Sequence, residues 1–485
     1  MALCALLAAA AFGLRRFVDQ AFEDRDLARY RRGFVTSEEL GQSRLDQLLR
    51  SIGLIRPMFW LGADPEVGAL SSRPGPAAWL AGAQTTLERQ SRQGVAQEAS
   101  YRGVRVMSIA ILEQSWERLQ KQPHLRGPSS EQPAWMTLFE GDRQLWSTPV
   151  GIRVQGNYTR KFDKQRSYQL LFHPAYGSAA LPAHLLGWSP AGDIERLHIA
   201  NDTRRRNGIH WRLTNQIALD IAHRIGALTP QTAPALLYVN GESRGLFFLT
   251  ERLSDDYLRR SYGHADFAIV DTKSRDFPNG LESHFLPVAY KVRRATGMND
   301  LEADVDLDNL ISWMLSIAFC GTRDEFQGLM LRDLTAAGSR WHWINWDMDI
   351  SFEPDPYRRG DSRQIDMVRS LLVRGERGDF RQRALKRLWR FDPGFRVRVS
   401  SAVDSALARV TPAYLDDLLD HYREILELYE VEDLTFLPLL EQYLDRRPQV
   451  VREQFDRQLS IPSPEDPARK RWRRQRLRRQ RELAR

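Results

Sequence analysis

The chain has 485 residues, a formal net charge of +8, and 42% hydrophobic and 27% charged residues. This length predicts two to four domains or lobes, and the composition is typical of a soluble globular protein. Residues 469–485 hold ten Lys or Arg and one Glu, so the rest of the chain is nearly neutral. Because enzymes that act on nucleic acid usually carry basic residues across the folded body, we expect no specific nucleic-acid partner.

The two ends of the chain bear on its location. Residues 2–14 are uninterrupted apolar residues, fewer than the roughly 20 that a membrane-spanning helix needs. Three interpretations stay open for this segment: a signal anchor shortened by a wrong start codon, a short interfacial anchor, or a buried terminal helix. It favours a membrane-associated or cell-envelope protein, with the membrane as a possible partner. The basic tail at 461–485 is suited to anionic lipid or another acidic partner, or it has no dedicated partner.

The first half of the chain changes in character near residue 104. Residues 1–30 are predicted to be a hydrophobic anchor and first helix, and residues 31–103 a helical and linker segment with a Pro/Gly/Ser/Ala-rich stretch at 68–84. Residues 104–253 are predicted to form a β-rich lobe. A Gly141-Asp142 turn and a polar break from Asn240 to Ser243 each separate two strand-like runs, which indicates two hairpins. Residues 209–225 are predicted to be helical.

The second half, residues 254–460, is predicted to be a mainly helical lobe. A long apolar helix is expected over residues 307–321, followed by a hairpin of LMLRDL and WHWINW with Gly338 in its turn, and then by helices from about 364 to 460. The predicted fold class is therefore α+β, with two lobes. Cys4 and Cys320 both lie in apolar runs, so no disulfide is expected.

Two aspartates flank the predicted hairpin. Asp324 follows the apolar helix, and Asp347 comes 23 residues later at the end of a strand-like run. If the two strands pair, their outer ends bring both carboxylates to the same edge. Paired carboxylates suit Mg²⁺ or Mn²⁺ and the needs of phosphoryl transfer. The alternative is that they are turn and cap residues, which Asp commonly supplies.

At this point the sequence resembles the CotH (spore-coat protein H) family of atypical kinases. The resemblance is carried by Trp-Asp-Met-Asp at 346–349, the Asp324 region, the hairpin VNGESRGLFFLTERL, the strands GIRVQGN and KQRSYQLLF, and the helix LEQYLDRRPQVVREQF. Together these segments run from about 104 to 459. The resemblance implies a two-lobed atypical protein-kinase-like fold, with a β-rich N-lobe and a helical C-lobe.

The resemblance also implies residue roles and cofactors. It implies a kinase that uses ATP with Mg²⁺ or Mn²⁺ and phosphorylates a protein hydroxyl. Asp324 would be the catalytic-loop carboxylate, Asp347 the metal ligand and Asp349 a supporting metal contact. The residues that bind the nucleotide would be Arg153, Lys164 or Arg166 at the phosphates, and Glu251 near the adenine.

The sequence departs from the kinase pattern in two places. Conventional kinases carry a metal-binding Asn five residues after the catalytic Asp, where this chain has Leu329, and the nearest amide is Gln327. The family's Lys-Lys-Ser-Tyr strand begins here with Gln165 and Arg166. Arg can bind phosphate, but its planar guanidinium is not equivalent to the ammonium group of Lys. Because of these departures, an alternative interpretation stays open: the protein is an inactive CotH-like pseudokinase that serves as an envelope or assembly scaffold.

A further alternative takes Asp347-Met-Asp349 as the Asp-x-Asp motif of a nucleotide-sugar glycosyltransferase. No doubly wound βαβ pattern precedes the pair, which argues against it. Three tryptophans, Trp341, Trp343 and Trp346, are expected to pack within the lobe rather than to stack on a base. The Arg-rich segment 201–208 is expected to be a solvated loop before a helix, although its arginines could bind phosphate.

Overall fold

The computed structural model describes residues 77–93, 104–125, 130–156, 165–177, 180–206, 209–271, 282–323, 328–352, 365–373 and 380–461. Their strands are β1 Arg105–Ile111, β2 Gln132–Glu140, β3 Arg143–Gln155, β4 Ser167–Leu171, β5 Leu181–Pro182, β6 Asp193–Ile194, β7 Arg196–Ala200, β8 Thr203–Arg206, β9 Ile209–Arg212, β10 Thr232–Val239, β11 Glu242–Glu251, β12 Phe267–Asp271, β13 Leu329–Asp333 and β14 His342–Ile344. Their α helices are α1 Ala77–Gln93, α2 Glu113–Lys121, α3 Thr214–Ile225, α4 Asp255–Tyr262, α5 Glu282–Arg294, α6 Leu307–Cys320, α7 Met367–Leu372, α8 Phe380–Phe391, α9 Pro393–Arg409, α10 Pro412–Leu428 and α11 Leu437–Leu459.

Seven strands of the first half close into a barrel in the order β1-β10-β11-β7-β4-β3-β2. Both predicted hairpins belong to it: β2 pairs with β3 across Gly141, and β10 pairs with β11 across a two-residue turn. In that turn Asn240 and Gly241 have φ values of 53° and 83°, the left-handed conformation that Asn and Gly adopt most easily. The strand resumes at Glu242, so the turn is shorter than the polar break predicted from the sequence.

The barrel separates two sets of side chains, because neighbouring residues of a strand face opposite sides of the sheet. One set fills the interior with residues such as Ile109, Met136, Ile152, Leu170 and Phe247, which form one buried cluster. The other set faces outward. Helix α2 lies at one end of the barrel, where Trp116 packs against the interior cluster.

A second and larger cluster joins the barrel to the helices. Outward side chains of the barrel, including Val106, Leu236 and Phe248, pack with residues of α3, α6 and the later helices. The long apolar helix α6 ends at Cys320, which is buried and not in a disulfide. Next to α6, strands β12, β13 and β14 form a small antiparallel sheet in which Leu329 pairs with Ile344. The predicted α+β class, with a β-rich and a helical lobe, is confirmed.

Three local predictions need correction. Residues 209–212 are a strand rather than the start of a helix, because Leu213 has φ of 61° and the helix begins at Thr214. Strand β12 lies in a region predicted to be helical. Residues 203–206, expected to belong to a solvated loop, form strand β8, because they pair with β9. Helix α1 lies within the segment predicted to be helical and linker, and its Leu87 packs on Ala110 and Trp135 of the barrel.

The predicted anchor, the basic tail, Cys4, Lys164, Asp324 and Gln327 lie outside the described residues. Within the described ranges, no helix is long and apolar enough to cross a membrane. The described barrel is antiparallel except where β1 pairs with β10, and so it lacks the doubly wound parallel sheet that a nucleotide-sugar glycosyltransferase would use.

Candidate functional site

The segment Trp346–Asp349 follows β14 and lies where the barrel meets the helices. Helix α3 fixes this turn, because Asn215 Oδ1 accepts the backbone N–H of Met348 at 2.8 Å and Thr214 Oγ1 donates to the carbonyl of Asp349 at 3.0 Å. Asp347 itself has φ of 58°. That left-handed conformation is uncommon for a residue other than Gly and is most accessible to Asn and Asp. The turn therefore holds the Asp347 side chain in a defined, half-buried position.

A second carboxylate, Asp202, lies close enough to Asp347 for the two charges to interact. It follows β7, has φ of 37° and is buried. Its oxygens accept the backbone N–H groups of Asn215 at 3.2 Å and Gln216 at 3.3 Å, at the start of α3. Burial raises the pKa of Asp202 to about 6, the two N–H donors oppose that rise, and the negative charge of Asp347 adds to it. The Arg-rich interpretation of residues 201–208 missed this residue, although its position directly after a predicted strand was a signal.

The segment that leads to Asp324 is joined to the segment that follows Asp349. Arg323 donates its backbone N–H to the carbonyl of Ile350 at 3.0 Å, and Phe352 donates to Cys320 at 2.9 Å. The hydroxyls of Thr322 and Ser351 are 2.7 Å apart. Asp324 and Gln327 are outside the described residues, but these bonds hold the residue that precedes Asp324 next to the Asp347 turn.

Helix α11 clamps the end of α6 just before this segment. The Arg447 guanidinium is fully buried and donates to the carbonyls of Ala318 and Phe319, the latter at 2.9 Å, and to that of Ile365 at 3.3 Å. The Tyr443 hydroxyl also donates to Phe319 at 3.3 Å. These donors satisfy carbonyls at a helix end, which have no partner within the helix.

We expect the substitution Gly321→Ala to destabilise this junction. Gly321 has φ of +63°, and a Cβ there would lie 2.5 Å from the Tyr443 hydroxyl oxygen. The free energy of unfolding should fall by about 2–3 kcal/mol, through backbone strain and steric overlap together. Gly338→Ala is the matched control, because Gly338 has φ of +76° with no atom within 4 Å of the added carbon. It should cost only about 1 kcal/mol. Equal losses in chemical denaturation would contradict the clamp.

A row of polar side chains crosses four strands on the outer face of the barrel. The strand register aligns Arg153 with Gln169, Gln169 with His198, and His198 with Thr250. Arg153 donates to Gln169 Oε1 through Nε at 2.9 Å and through a terminal nitrogen at 2.7 Å. It also pairs with buried Glu131 at 3.3 Å. This polar row therefore begins at the buried, charged Arg153. It extends across the sheet towards the Asp347 turn.

Polar atoms in the middle of this row have no hydrogen-bond partner among the described residues. They are both ring nitrogens of His198 and the side-chain nitrogen of Gln169, and all three are buried. The His198 ring stacks on Trp346 with centroids 5.9 Å apart, and the Arg252 guanidinium lies 5.9 Å from the same Trp346 ring. Trp341 and Trp343 are buried as predicted, whereas Trp346 is half-buried and covers the row. A bound polar molecule could satisfy these atoms.

The burial of the His198 nitrogens predicts a pH effect on stability. Burial lowers the pKa of His198 to about 3 from an ordinary 6.5, and the positive charge of Arg252 adds to this. As the pH falls below 6.5, the unfolded chain takes up a proton that the folded chain does not, so stability is lost. Between pH 7.5 and 5, the free energy of unfolding should fall by about 2 kcal/mol more in the wild type than in His198→Gln. Parallel pH profiles in denaturant titrations would contradict this environment for His198.

The remaining predicted residues take different positions. Glu251 ends β11 and is buried, where it pairs with Arg260 and accepts the backbone N–H of Gln231 at 3.2 Å. It lies one residue before Arg252, at the connection between the barrel and α4. Arg166 donates to the backbone carbonyl of Gln120 in α2 at 3.0 Å, at one end of the barrel. The structure therefore brings Asp347 and Asp202 together, and assigns Arg153 and Arg166 to different hydrogen-bond networks.

The carboxylates can be compared with the needs of a divalent cation. Within the described residues, no three His, Cys, Asp or Glu side chains form a metal-binding group. Asp202 and Asp347 are nevertheless close enough for the charge of Asp347 to raise the pKa of Asp202. A hard divalent cation would relieve this repulsion and accepts carboxylate oxygens. Asp347 and Asp202 thus offer carboxylate oxygens of the kind that Mg²⁺ or Mn²⁺ prefers, and Asp349 is nearby in sequence.

Comparisons with known proteins identify a family. The family model described as CotH kinase protein matches residues 152–460, well over half of the chain. A curated relative, the inner spore coat protein H of Bacillus subtilis (strain 168), is 20% identical over 248 residues, which cover 45% of this chain and 63% of the relative. The match therefore spans less than two thirds of that relative's length.

Proposed function

The chain belongs to the CotH kinase family, and on that premise we propose that it is a metal-dependent kinase that transfers the γ-phosphoryl group of ATP to a protein hydroxyl. In the proposed reaction the hydroxyl oxygen of the acceptor forms a bond to the γ-phosphorus, and the bond to the bridging oxygen of ADP breaks. The hydroxyl proton passes to a carboxylate. ADP and a phosphoprotein are the products.

The observation that carries the proposal is the position of Asp347. It occupies a left-handed turn held by α3, beside a second carboxylate, at the junction of the two lobes. Such rigid placement is what a site needs when catalysis depends on positioning and on charge stabilisation rather than on covalent chemistry. Mg²⁺ or Mn²⁺, when bound, would neutralise charge on the phosphates. Asp347 would hold it, with Asp349 in support and Asp202 as an additional ligand.

Asp324 is proposed to orient or deprotonate the acceptor hydroxyl. Support comes from the hydrogen bonds between Arg323 and Ile350 and between Cys320 and Phe352, which join the two aspartate-bearing segments. A carboxylate next to the acceptor, distinct from the one on the metal, is the division of labour that phosphoryl transfer requires. Gln327 remains a candidate second contact to the metal.

Arg153 is the strongest candidate for the phosphates among the basic residues that the structure describes. Its guanidinium is buried and paired with Glu131, which parallels the Lys–Glu ion pair of conventional kinases. Lys164 and Arg166 remain alternatives from the neighbouring connection and strand. The nucleobase is proposed to lie near Trp346 and His198, close to Glu251, where buried polar atoms lack partners among the described residues.

The proposal is tested first by nucleotide binding to the full chain. Isothermal titration calorimetry should detect ATP binding that strengthens at least tenfold when Mn²⁺ replaces EDTA. The variant Trp346→Ala should weaken ATP by about tenfold, since a stacked aromatic ring contributes roughly 1–3 kcal/mol to binding a base. A preference for a UDP-sugar over ATP, or ATP affinity that is indifferent to Mn²⁺, would contradict the proposal.

A second candidate is an inactive pseudokinase that binds ATP and serves as a scaffold. The observation that favours it is Leu329, which stands where conventional kinases carry a metal-binding Asn and is fixed in β13 by pairing with Ile344 and Asp271. An apolar side chain there cannot ligate a second metal. ATP binding without formation of ADP or phosphoprotein would support the scaffold, and turnover would exclude it.

We further propose an envelope or coat location, because the curated relative is an inner spore coat protein. The N-terminal apolar segment and the basic tail, both outside the described residues, remain candidates for contact with a membrane or with an anionic partner.

A further inference from the structure

A cavity of about 360 Å³ lies at the α2 end of the barrel. Its lining includes three aromatic side chains, Trp116, Tyr168 and Phe247, and three polar ones, Gln120, Gln165 and Arg244. This volume is at the lower end of the range for small-molecule sites, which is about 300–1,000 Å³.

The cavity is on the opposite side of the sheet from the candidate phosphoryl-transfer site. Tyr168 belongs to the cluster that fills the barrel interior, and Phe247 belongs to the same cluster. Their sequence neighbours Gln169 and Phe248 face outward, towards the polar row and the helical lobe. Because adjacent residues of a strand point to opposite faces, the two sites are separated by the sheet itself.

The aromatic walls of the cavity are held by specific contacts. The rings of Trp116 and Tyr168 have centroids 5.6 Å apart and are tilted by 36°. Gln120 Nε2 donates to the Tyr168 hydroxyl at 3.2 Å, and Arg166 donates to the Gln120 side chain. Gln165 donates to the carbonyl of Arg244 and so ties β4 to the β10–β11 hairpin. These bonds keep a flat, apolar wall next to polar groups.

Arg244 is the one cationic residue among the described residues that line the cavity. The Arg244 guanidinium lies 5.4 Å from the Trp116 ring centroid, and its Nε is buried without a hydrogen-bond partner among the described residues. Its terminal nitrogen pairs at 2.7 Å with Glu242, a side chain that is 73% exposed. None of the described lining residues is acidic. A guanidinium that stacks on an aromatic ring, and that has N–H groups not used within the protein, is suited to bind the carboxylate of a ligand.

We infer that this cavity is a second ligand-binding site, which takes a small aromatic carboxylate. The ring of the ligand would pack against Trp116 and Tyr168, and its carboxylate would accept N–H groups from the partly exposed guanidinium of Arg244. This inference does not depend on the Asp347 turn or on the polar row, because none of its residues belongs to either.

The test uses naphthalene-2-carboxylate as the probe and the full chain as the receptor, with affinity measured by saturation-transfer NMR titration. We expect saturable binding, and at least tenfold weaker binding for 2-naphthalenemethanol, because a hydrogen bond to a charged group contributes more than a neutral one. Arg244→Met should weaken the carboxylate at least tenfold. Arg259→Met, a change at an exposed arginine paired with Glu195, should change it less than twofold.

Three outcomes would overturn the inference: no saturable binding, equal affinity for the acid and the alcohol, or equal affinity in Arg244→Met and Arg259→Met. The comparison of acid with alcohol needs no variant, so it tests the role of the carboxylate even if Arg244→Met fails to fold. Asp347→Asn should leave the affinity for the carboxylate within twofold. A wild type that binds the carboxylate but does not bind ATP would therefore count against the kinase proposal alone.

Discussion

The variant Asp347→Asn should lose about a thousandfold in the rate of ADP formation from ATP and Mn²⁺, while the folded structure stays intact. The loss corresponds to about 4 kcal/mol of transition-state stabilisation, the scale expected when a metal that neutralises phosphate charge is no longer held. Asn is the informative substitution, because Asp347 has φ of 58° and Asn adopts this conformation with little strain. Alanine would add backbone strain, so loss of the carboxylate and loss of stability could not be told apart.

Two controls accompany that measurement. Asp404→Asn removes an exposed carboxylate paired with Arg452 and should leave the rate unchanged. Asp349→Asn should lower the rate by about tenfold, since its proposed role is supporting. The unfolding midpoint of Asp347→Asn should stay close to that of the wild type. A rate within threefold of the wild type would remove Asp347 from the proposed metal site.

The variant Arg447→Met should lower the free energy of unfolding by about 3–5 kcal/mol. Arg447 is fully buried, and its guanidinium donates to the carbonyls of Ala318, Phe319 and Ile365. Methionine keeps part of the apolar volume but leaves these carbonyls without their donor, and each unsatisfied buried group costs about 1–3 kcal/mol. The measurement is denaturant unfolding followed by circular dichroism.

Arg446→Met is the matched control for that experiment. Arg446 is the preceding residue of the same helix and is exposed, so its loss should change stability by less than about 0.5 kcal/mol. A similar loss in both variants would indicate that any cation in this helix matters, and would contradict the specific clamp on α6. Because the clamp also fixes the residues that lead to Asp324, Arg447→Met should lower the rate of phosphoryl transfer even under conditions in which it is folded.

Features set by neighbouring residues could be predicted from the sequence. The Asn240-Gly241 turn, the helix Leu307–Cys320 and the pairing of β13 with β14 depend on local conformation and on short-range periodicity. The same is true of the β-rich and helical halves. The resemblance that singled out Trp-Asp-Met-Asp also agreed with the family match over residues 152–460.

Features set by distant residues could not be predicted in this way. Asp202 reaches Asp347 only because the start of α3 contacts both segments, across more than a hundred residues of chain. The register of four strands places His198 beside Gln169, and no motif marks that histidine. Residues 209–212 have helical periodicity, but pairing with β8 and the left-handed conformation of Leu213 make them a strand. Arg447 lies in the helix LEQYLDRRPQVVREQF, which contributed to the resemblance, whereas its role depends on contacts with α6.

The most direct test of the central claim is transfer of ³²P from [γ-³²P]ATP to protein hydroxyls by the full chain, with Mn²⁺ present and casein as an added acceptor. The account predicts acid-stable label on serine or threonine of the chain or of casein in the wild type. It also predicts that Asp347→Asn and Asp324→Ala each abolish the label, although both variants remain folded. Label that persists in either variant, or a wild type that binds ATP and Mn²⁺ but transfers no phosphate, would contradict the claim that these carboxylates form a kinase active site.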